Sequence, residues 1–288
     1  MYLKKRLVSA LLALLLLCCT LCGCAARQTE QYEILATTAP VWAMTQALLE
    51  GTELRCGRVI TEGVSCLHDY TLSVAQMEKL GHADVVVLNG LGLEDFMADA
   101  LKTAKRTVTA SDGIDTLPGE DGADPHIWLD PMCCIRMCGN IADGLSELYP
   151  DKQARIAQNL KAVTAELEAA QAYGEEALQV LSCRELVTFH DGFSYFARAF
   201  GLQIAAAMEI EEGSEPSAQE LEAVVRVIES HGIPAVFCEE NGDRATAQTV
   251  AKQTRTAVYA LTMGMGEESS GCTDAIYKNI DTIREALS

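Results

Sequence analysis

Three of the five histidines in this sequence lie where a strand is expected to give way to a loop or a helix. They occur in the segments SCLHDYTLS, DPHIWLDP and TFHDGF, and they are His68, His126 and His190. An aspartate lies within two positions of each, namely Asp69, Asp124 and Asp191. Imidazole nitrogens suit zinc and related first-row cations, and a nearby carboxylate can accept the second N–H of a metal-bound imidazole. The pattern predicts a metal site formed by the three histidines.

The spacing of these histidines indicates what kind of metal site to expect. They are separated by 58 and by 64 residues, unlike the ligands of a zinc finger or of an HExxH helix. Ligands spread over both halves of a chain would close a cleft around an ion, which suits reversible capture. We therefore expect a metal-binding receptor and not an enzyme.

An exported zinc hydrolase or hydratase is the alternative from a different class. Three histidines and a water on zinc also describe a catalytic site, in which Glu239 could act as the general base. The sequence has no nucleophile elbow, no glycine-rich phosphate loop and no HExxH motif. A structural lipoprotein or adhesin that merely contains metal is a third interpretation.

Strands alternate with helices in the first half of the chain and again in the last third. The expected buried strands include YEILAT, DVVVLNG, CRELVTF and IPAVFC. This order predicts an α/β fold of two lobes, each a mainly parallel sheet flanked by helices. We place the lobes at residues 32–148 and 183–288. Their ligand cleft is expected at the carboxyl ends of the strands.

One long rigid helix is expected to bridge the lobes, over residues 149–182. Good helix formers dominate this stretch, and Asp151 would place a favourable negative charge in the first turn. Apolar residues recur at three- and four-residue spacing and form one stripe: Ile156, Leu160, Val163, Leu167 and Ala170. A continuous helix from Pro150 to Leu181 would be about 45 Å long.

Residues 1–23 have the pattern of an export signal. A basic start at residues 4–6 precedes an apolar run at residues 7–17, which is too short to span a bilayer. The run leads to LCGC, which resembles the lipobox of bacterial lipoproteins. This resemblance implies cleavage before Cys24, lipidation of Cys24 and a linker over residues 24–31. The chain is then expected outside the cytoplasm, anchored to the bacterial cell membrane by its lipidated cysteine.

The charge and the cysteines restrict the expected partners and compartment further. The formal net charge of -19 at pH 7 excludes nucleic acid as an expected partner, because such a surface repels polyanions. Eight cysteines follow Cys24, several within apolar runs such as AVFCEE and MCCIRMC, where a cysteine usually packs as a small hydrophobe. An exported chain with an even number of thiols could also form disulfides, so the sequence leaves their redox state open.

Several segments together resemble the zinc/manganese ABC-importer substrate-binding lipoproteins, the zinc-uptake and metal-adhesin group. They are the lipobox, CLHDYTLSVAQMEKLGHADVVVLNGLGLEDF, DPHIWLDP, VTFHDGFSYFARAFGL and EPSAQEL. The resemblance covers nearly the whole chain from about Tyr32 onward. It implies a metal ion held between two lobes and delivered to a membrane permease, which a cytoplasmic ATPase drives. We also expect the protein to be a monomer. His68, His126 and His190 match the family's three metal-ligand positions.

The third histidine bears on the choice of metal. Histidine at this position, in place of glutamate, resembles the zinc-type members more than the manganese-type members. Nitrogen ligands point the same way, because a harder ion prefers more oxygen. We expect Zn²⁺ as the transported ion, with Mn²⁺ as the alternative.

The sequence departs from the family pattern at the fourth ligand. Many relatives have an aspartate in a segment like LDPLG after the last strand, where this chain reads ALTMGMGEES with Thr262 in that place. Water or a carboxylate from elsewhere would then complete the site, and Glu239, at the end of the strand AVFCEE, is the candidate. Glu239 could instead hydrogen-bond a histidine or a loop. The histidine-rich loop of some zinc members is also absent, and the stretch before His126 reads LPGEDGAD.

Overall fold

The structure, a computed structural model, describes residues 32–63, 67, 70–119, 122–208, 216–242, 244–266 and 271–288. The predicted signal peptide and the linker over residues 24–31, including Cys24, lie outside the described residues. His68 and Asp69 also lie outside them.

Four short parallel strands form the sheet of the first half of the chain. In spatial order they are β2 (Cys56–Arg58), β1 (Ile34–Ala36), β3 (Val85–Leu88) and β4 (Thr107–Thr109). The helices that follow these strands are α1 (Ala39–Leu49), α2 (Val74–His82), α3 (Ala98–Leu101) and α4 (Pro131–Leu148). The central strands β1 and β3 are apolar and almost entirely buried, as expected for parallel strands covered on both faces.

A short antiparallel hairpin precedes the segment that contains His126. It consists of β5 (Pro118–Gly119) and β6 (Gly122–Ala123). A 3-10 turn at Ile127–Leu129 then leads into α4, whose N-terminus is capped by Asp130 with Pro131 as its first residue. The sequence Asp130-Pro131 therefore starts this helix, with the Asp130 carboxylate accepting the N–H groups of Met132 and Cys133.

The second half of the chain repeats the first arrangement. Its parallel sheet has the order β10 (Ala257–Leu261), β9 (Ala235–Glu239), β7 (Glu185–Phe189) and β8 (Gln203–Ala207). Its helices are α6 (Ser194–Ala199), α7 (Ala218–His231), α8 (Ala245–Thr254) and α9 (Cys272–Leu287). Helix α7 begins with a capping box, in which Ser217 and Glu220 make reciprocal hydrogen bonds.

The long helix α5 spans Gln153–Ala177 and ends in a 3-10 turn. It is about 37 Å long, and it packs against α4, α1 and α9. The helix is shorter than the stretch that composition predicts, because the chain needs a turn after α4, in which the N–H of Lys152 donates to the carbonyl of Tyr149. Asp151 therefore lies before the helix and not in its first turn.

The predicted apolar stripe of α5 faces the protein interior. Ile156, Leu167 and Ala170 are fully buried, while Leu160 and Val163 pack against the same core. With the two parallel sheets, this long helix confirms the predicted α/β architecture.

A large hydrophobic core runs through both halves of the chain, and a smaller one covers the far face of the second sheet. Strand β9 shows the division: Ala235 and Phe237 belong to the large core, whereas Val236 and Cys238 belong to the small one. The large core also holds Trp128, which is 1% exposed. The two halves are therefore packed together through shared apolar surface.

Most of the described cysteines are part of these cores. Those that are buried and free are Cys56, Cys133, Cys134, Cys138, Cys238 and Cys272, and Cys183 is free and partly exposed. The prediction that cysteines in apolar runs pack as small hydrophobes is confirmed for Cys133, Cys134, Cys138 and Cys238. As for membrane insertion, no helix among the described residues is both long and apolar enough to span a bilayer.

Candidate metal-binding site

His190 and Glu239 lie side by side at the carboxyl ends of two neighbouring strands. His190 is the first residue after β7, and Glu239 is the last residue of β9. Phe189 pairs with Cys238 in the ladder between these strands, so His190 and Glu239 occupy the next position along it. Side chains alternate along a strand, which places both residues on the same face as Phe237, the face of the large core.

His126 is held by the aspartate two residues before it. One carboxylate oxygen of Asp124 accepts the backbone N–H of His126 at 2.9 Å and lies 2.8 Å from Nδ1 of the imidazole. With the Nδ1 hydrogen donated to Asp124, Nε2 of His126 is left with the lone pair that a metal requires.

The imidazoles of His126 and His190 meet although they come from different halves of the chain. Their ring centroids are 5.4 Å apart and their planes are inclined at 83°. Gly192 makes room for this arrangement. A Cβ atom at Gly192 would lie 2.8 Å from Cδ2 of His190 and 2.6 Å from Cε of Met263, so a side chain there would force both to shift.

Carboxyl groups lie near the two imidazoles: Asp124 and Glu239 are buried, whereas Asp191, which follows His190, is exposed. Glu239 is only 2% exposed, and its Oε1 has no hydrogen-bond partner in the part of the chain that the structure describes. Burial raises the pKa of Glu239 to about 8. Burial also raises the pKa of Asp191, and the negative charge of Asp124 adds to this effect while His126 opposes it. Glu239 is therefore mostly protonated at neutral pH unless a cation is present.

Thr262, which stands in place of the family's aspartate, is committed to the turn after β10. Its hydroxyl oxygen accepts the N–H of Gly264 at 3.1 Å. Its backbone N–H and carbonyl are both bonded to the side-chain amide of Asn279 at 2.9 Å. Thr262 thus stabilises the turn after β10 and offers no carboxylate to a metal ion.

The remaining predicted ligand, His68, lies outside the described residues. Within the described ranges, no three histidine, cysteine, aspartate or glutamate side chains are grouped so that they could hold one metal ion. The structure therefore brings together His126 and His190, with Glu239 next to His190 in the sheet. The two histidines without a predicted role lie apart on the surface: His82 ends α2, and His231 pairs with Glu185 at 2.8 Å.

Sequence reasoning gave no role to two residues of α6 that contact the segment around His126. The hydroxyl of Tyr195 donates to the carbonyl of Asp124 at 2.9 Å, and the guanidinium of Arg198 donates to the carboxylate of Asp130 at 2.9 Å. A tyrosine in the apolar helix SYFARA was a signal, because a buried tyrosine hydroxyl usually requires a partner. The sequence did not indicate that this partner lies 71 residues away.

Comparison with known proteins agrees with this architecture. The family model described as the periplasmic component A of the zinc-uptake complex, ZnuA, matches residues 34–286. The zinc-binding protein TroA of Treponema pallidum is 28% identical over an alignment of 242 residues, and the match covers 77% of this chain and 78% of TroA. The iron ABC transporter substrate-binding lipoprotein MtsA of Streptococcus pyogenes is 27% identical over 295 residues, covering 95% of this chain and 94% of MtsA.

A solved structure shows the same similarity in three dimensions. The crystal structure of ZnuA superposes with a TM-score of 0.80 at 28% sequence identity, and the match covers 90% of this chain and 100% of that one. The family's members are substrate-binding components of transporters and not enzymes, so the hydrolase alternative has no support from these comparisons. The chain belongs to the family of the periplasmic zinc-uptake component A.

Proposed function

We propose that this chain is the substrate-binding lipoprotein of a metal ABC importer. It captures a divalent cation between its two lobes and delivers it to a membrane permease that a cytoplasmic ATPase drives. The observation that carries this proposal is the meeting of His126 and His190 from opposite halves, 5.4 Å between ring centroids, with Nδ1 of His126 already held by Asp124. A zinc ligand set usually includes such carboxylate-oriented imidazoles.

The proposed ligands are His68, His126 and His190, with Glu239 as the fourth. A buried carboxyl group with an oxygen that has no hydrogen-bond partner is costly to ionise, and a bound cation would offset that cost. Glu239 is such a group among the described residues, and it neighbours His190 across the sheet. Thr262 is supported less well as a ligand because its hydroxyl already accepts a backbone N–H.

Zinc is the proposed cargo because the set contains three nitrogen ligands, whereas Mn²⁺ favours oxygen. The relatives of this chain are named for different metals: TroA for zinc and MtsA for iron. Competition between Zn²⁺, Mn²⁺ and Fe²⁺ for the purified chain tests the choice, and we expect zinc to displace the other two. Tighter binding of Mn²⁺ than of Zn²⁺ would contradict a three-nitrogen site.

The arrangement along the chain is part of the proposal. Residues 1–23 act as the signal peptide, Cys24 carries the lipid and residues 24–31 form the linker. The lobes are residues 32–148 and 183–288, with the bridging segment at residues 149–182. The protein acts as a monomer on the outer side of the bacterial cell membrane and catalyses no reaction.

Equilibrium dialysis of the purified chain against buffered zinc tests capture against catalysis. We expect one zinc ion per chain, released by a chelator, with no ester hydrolysis and no hydration of carbon dioxide. The triple variant H68A/H126A/H190A should lose binding, while the control variant H82A should bind like wild type. Hydrolytic or anhydrase activity that disappears in H126A would contradict the transport function.

A further inference from the structure

Helix α6, which follows His190 in the second half of the chain, contacts both ends of the segment that carries His126. We define residues 124–130 as the His126 loop. At its start, the hydroxyl of Tyr195 donates to the carbonyl of Asp124 at 2.9 Å and accepts the N–H of Leu117 at 2.8 Å. Tyr195 is fully buried, so water does not compete for these hydrogen bonds.

Arg198, one turn further along α6, contacts the other end of the His126 loop. Its Nη2 donates to Oδ2 of Asp130 at 2.9 Å, and its guanidinium lies 4.8 Å from the centre of the Tyr195 ring. Oδ1 of the same aspartate accepts the N–H groups of Met132 and Cys133 and thereby caps α4. Asp130 is thus fixed between α4 and α6.

The middle of the His126 loop is also attached to the second half of the chain. Nε1 of Trp128 donates to the carbonyl of Met263 at 2.8 Å, and both residues are buried. The first half contributes a contact of its own, from the amide of Asn89 to the carbonyl of Pro125 at 3.1 Å. Contacts with the second half thus occur at the start, the middle and the end of the loop.

We propose that Tyr195 and Arg198 are positioning residues for metal binding. They hold the His126 loop against the second lobe, so that His126 and His190 form one preformed pair instead of meeting only when the lobes close. The chain of contacts runs from the Tyr195 hydroxyl to Asp124 and from the Asp124 carboxylate to Nδ1 of His126. This inference rests on the proposed function, because it assigns these residues an effect on metal affinity.

A double-mutant cycle with zinc separates positioning from general stability. Y195F removes one oxygen atom and leaves the ring in place. We expect it to weaken zinc binding about tenfold, the lower end of the range for partners of metal-bound histidines. In the H126A background the same change should have less than a twofold effect, because the group that Tyr195 positions is gone. R198Q should show the same pattern and provides a second variant should Y195F fold poorly.

The control is Y173F. Tyr173 lies on the long helix α5, and the variant removes its hydroxyl, which donates to Asp281 at 2.6 Å. It should leave zinc affinity unchanged, and thermal unfolding of each metal-free variant reports whether it is folded. Equal losses from Y195F and R198Q with and without His126 would overturn the positioning role. Wild-type affinity in both single variants would do the same while leaving the proposed function intact. Equal zinc binding by wild type and H126A would instead refute the ligand set, and the positioning role with it.

Discussion

Replacing Glu239 by glutamine should stabilise the metal-free protein more and more, relative to wild type, as the pH rises. Burial raises the pKa of Glu239 from its ordinary value of 4.5 to about 8. A carboxyl group with a raised folded-state pKa contributes its full stability below pH 4.5 and loses it as the pH rises through 8. One unit of pKa shift corresponds to about 1.4 kcal/mol, so this loss amounts to about 4 kcal/mol between pH 5 and pH 9.

The assay is denaturant unfolding of metal-free wild type and E239Q at pH 5, 7 and 9. Glutamine has no charge to bury, so the difference between the two unfolding free energies should grow by about 4 kcal/mol over that range. The matched control is E240Q, which removes the next carboxylate along the chain. Glu240 is exposed and pairs with Lys278, so no burial penalty is relieved there. A difference between E239Q and wild type that stays constant within about 1 kcal/mol would refute the reasoning.

Zinc binding should displace the proton that the Glu239 carboxyl group holds in the metal-free protein. A ligand must be deprotonated to bind, and a group with a pKa of about 8 holds about 0.9 proton at pH 7. Calorimetric titration with zinc at pH 7, in buffers of different ionisation enthalpy, should show wild type releasing about 0.9 proton more than E239Q. Equal proton release by the two proteins would show that Glu239 does not become a ligand.

Three further predictions concern packing, thiol access and helix capping. G192A should weaken zinc binding at least about tenfold because its Cβ would displace the His190 ring, and the control G139A, whose Cβ meets nothing within 4 Å, should bind like wild type. Brief alkylation of the native chain, read by peptide mass spectrometry, should modify Cys183 before any buried cysteine of the described ranges, and earlier labelling of a core thiol would contradict the packing. S217A should lower the unfolding free energy by about 1 kcal/mol through loss of the capping box, as measured in denaturant, with zinc affinity unchanged.

The positions of His190 and Glu239 could be predicted because they depend on local pattern. An apolar run of four or five residues followed by a polar residue marks the carboxyl end of a buried strand, and parallel strands bring these ends to one edge. The start of α4 can be predicted from an equally local signal, because Asp130 is a favourable capping residue and Pro131 a favourable first helical residue.

Other parts of the site depend on contacts that no local pattern encodes. The partner of Tyr195 is 71 residues away and that of Trp128 is 135 residues away. The absence of a hydrogen-bond partner for Oε1 of Glu239, within the described residues, is likewise a property of the packed interior. The start of α5 was predicted too early because residues 150–152 form the turn between two packed helices, which the overall composition of the stretch does not reveal.

X-ray absorption at the zinc edge of the zinc-loaded chain tests the central claim most directly. The site proposed from His68, His126 and His190, with Glu239, predicts a shell of nitrogen and oxygen atoms at about 2.0 to 2.1 Å, with the multiple scattering of about three imidazoles. The chain has 12 cysteines, so coordination of zinc by cysteine thiolates is the alternative to the histidine site. A sulfur shell at about 2.3 Å would contradict the account.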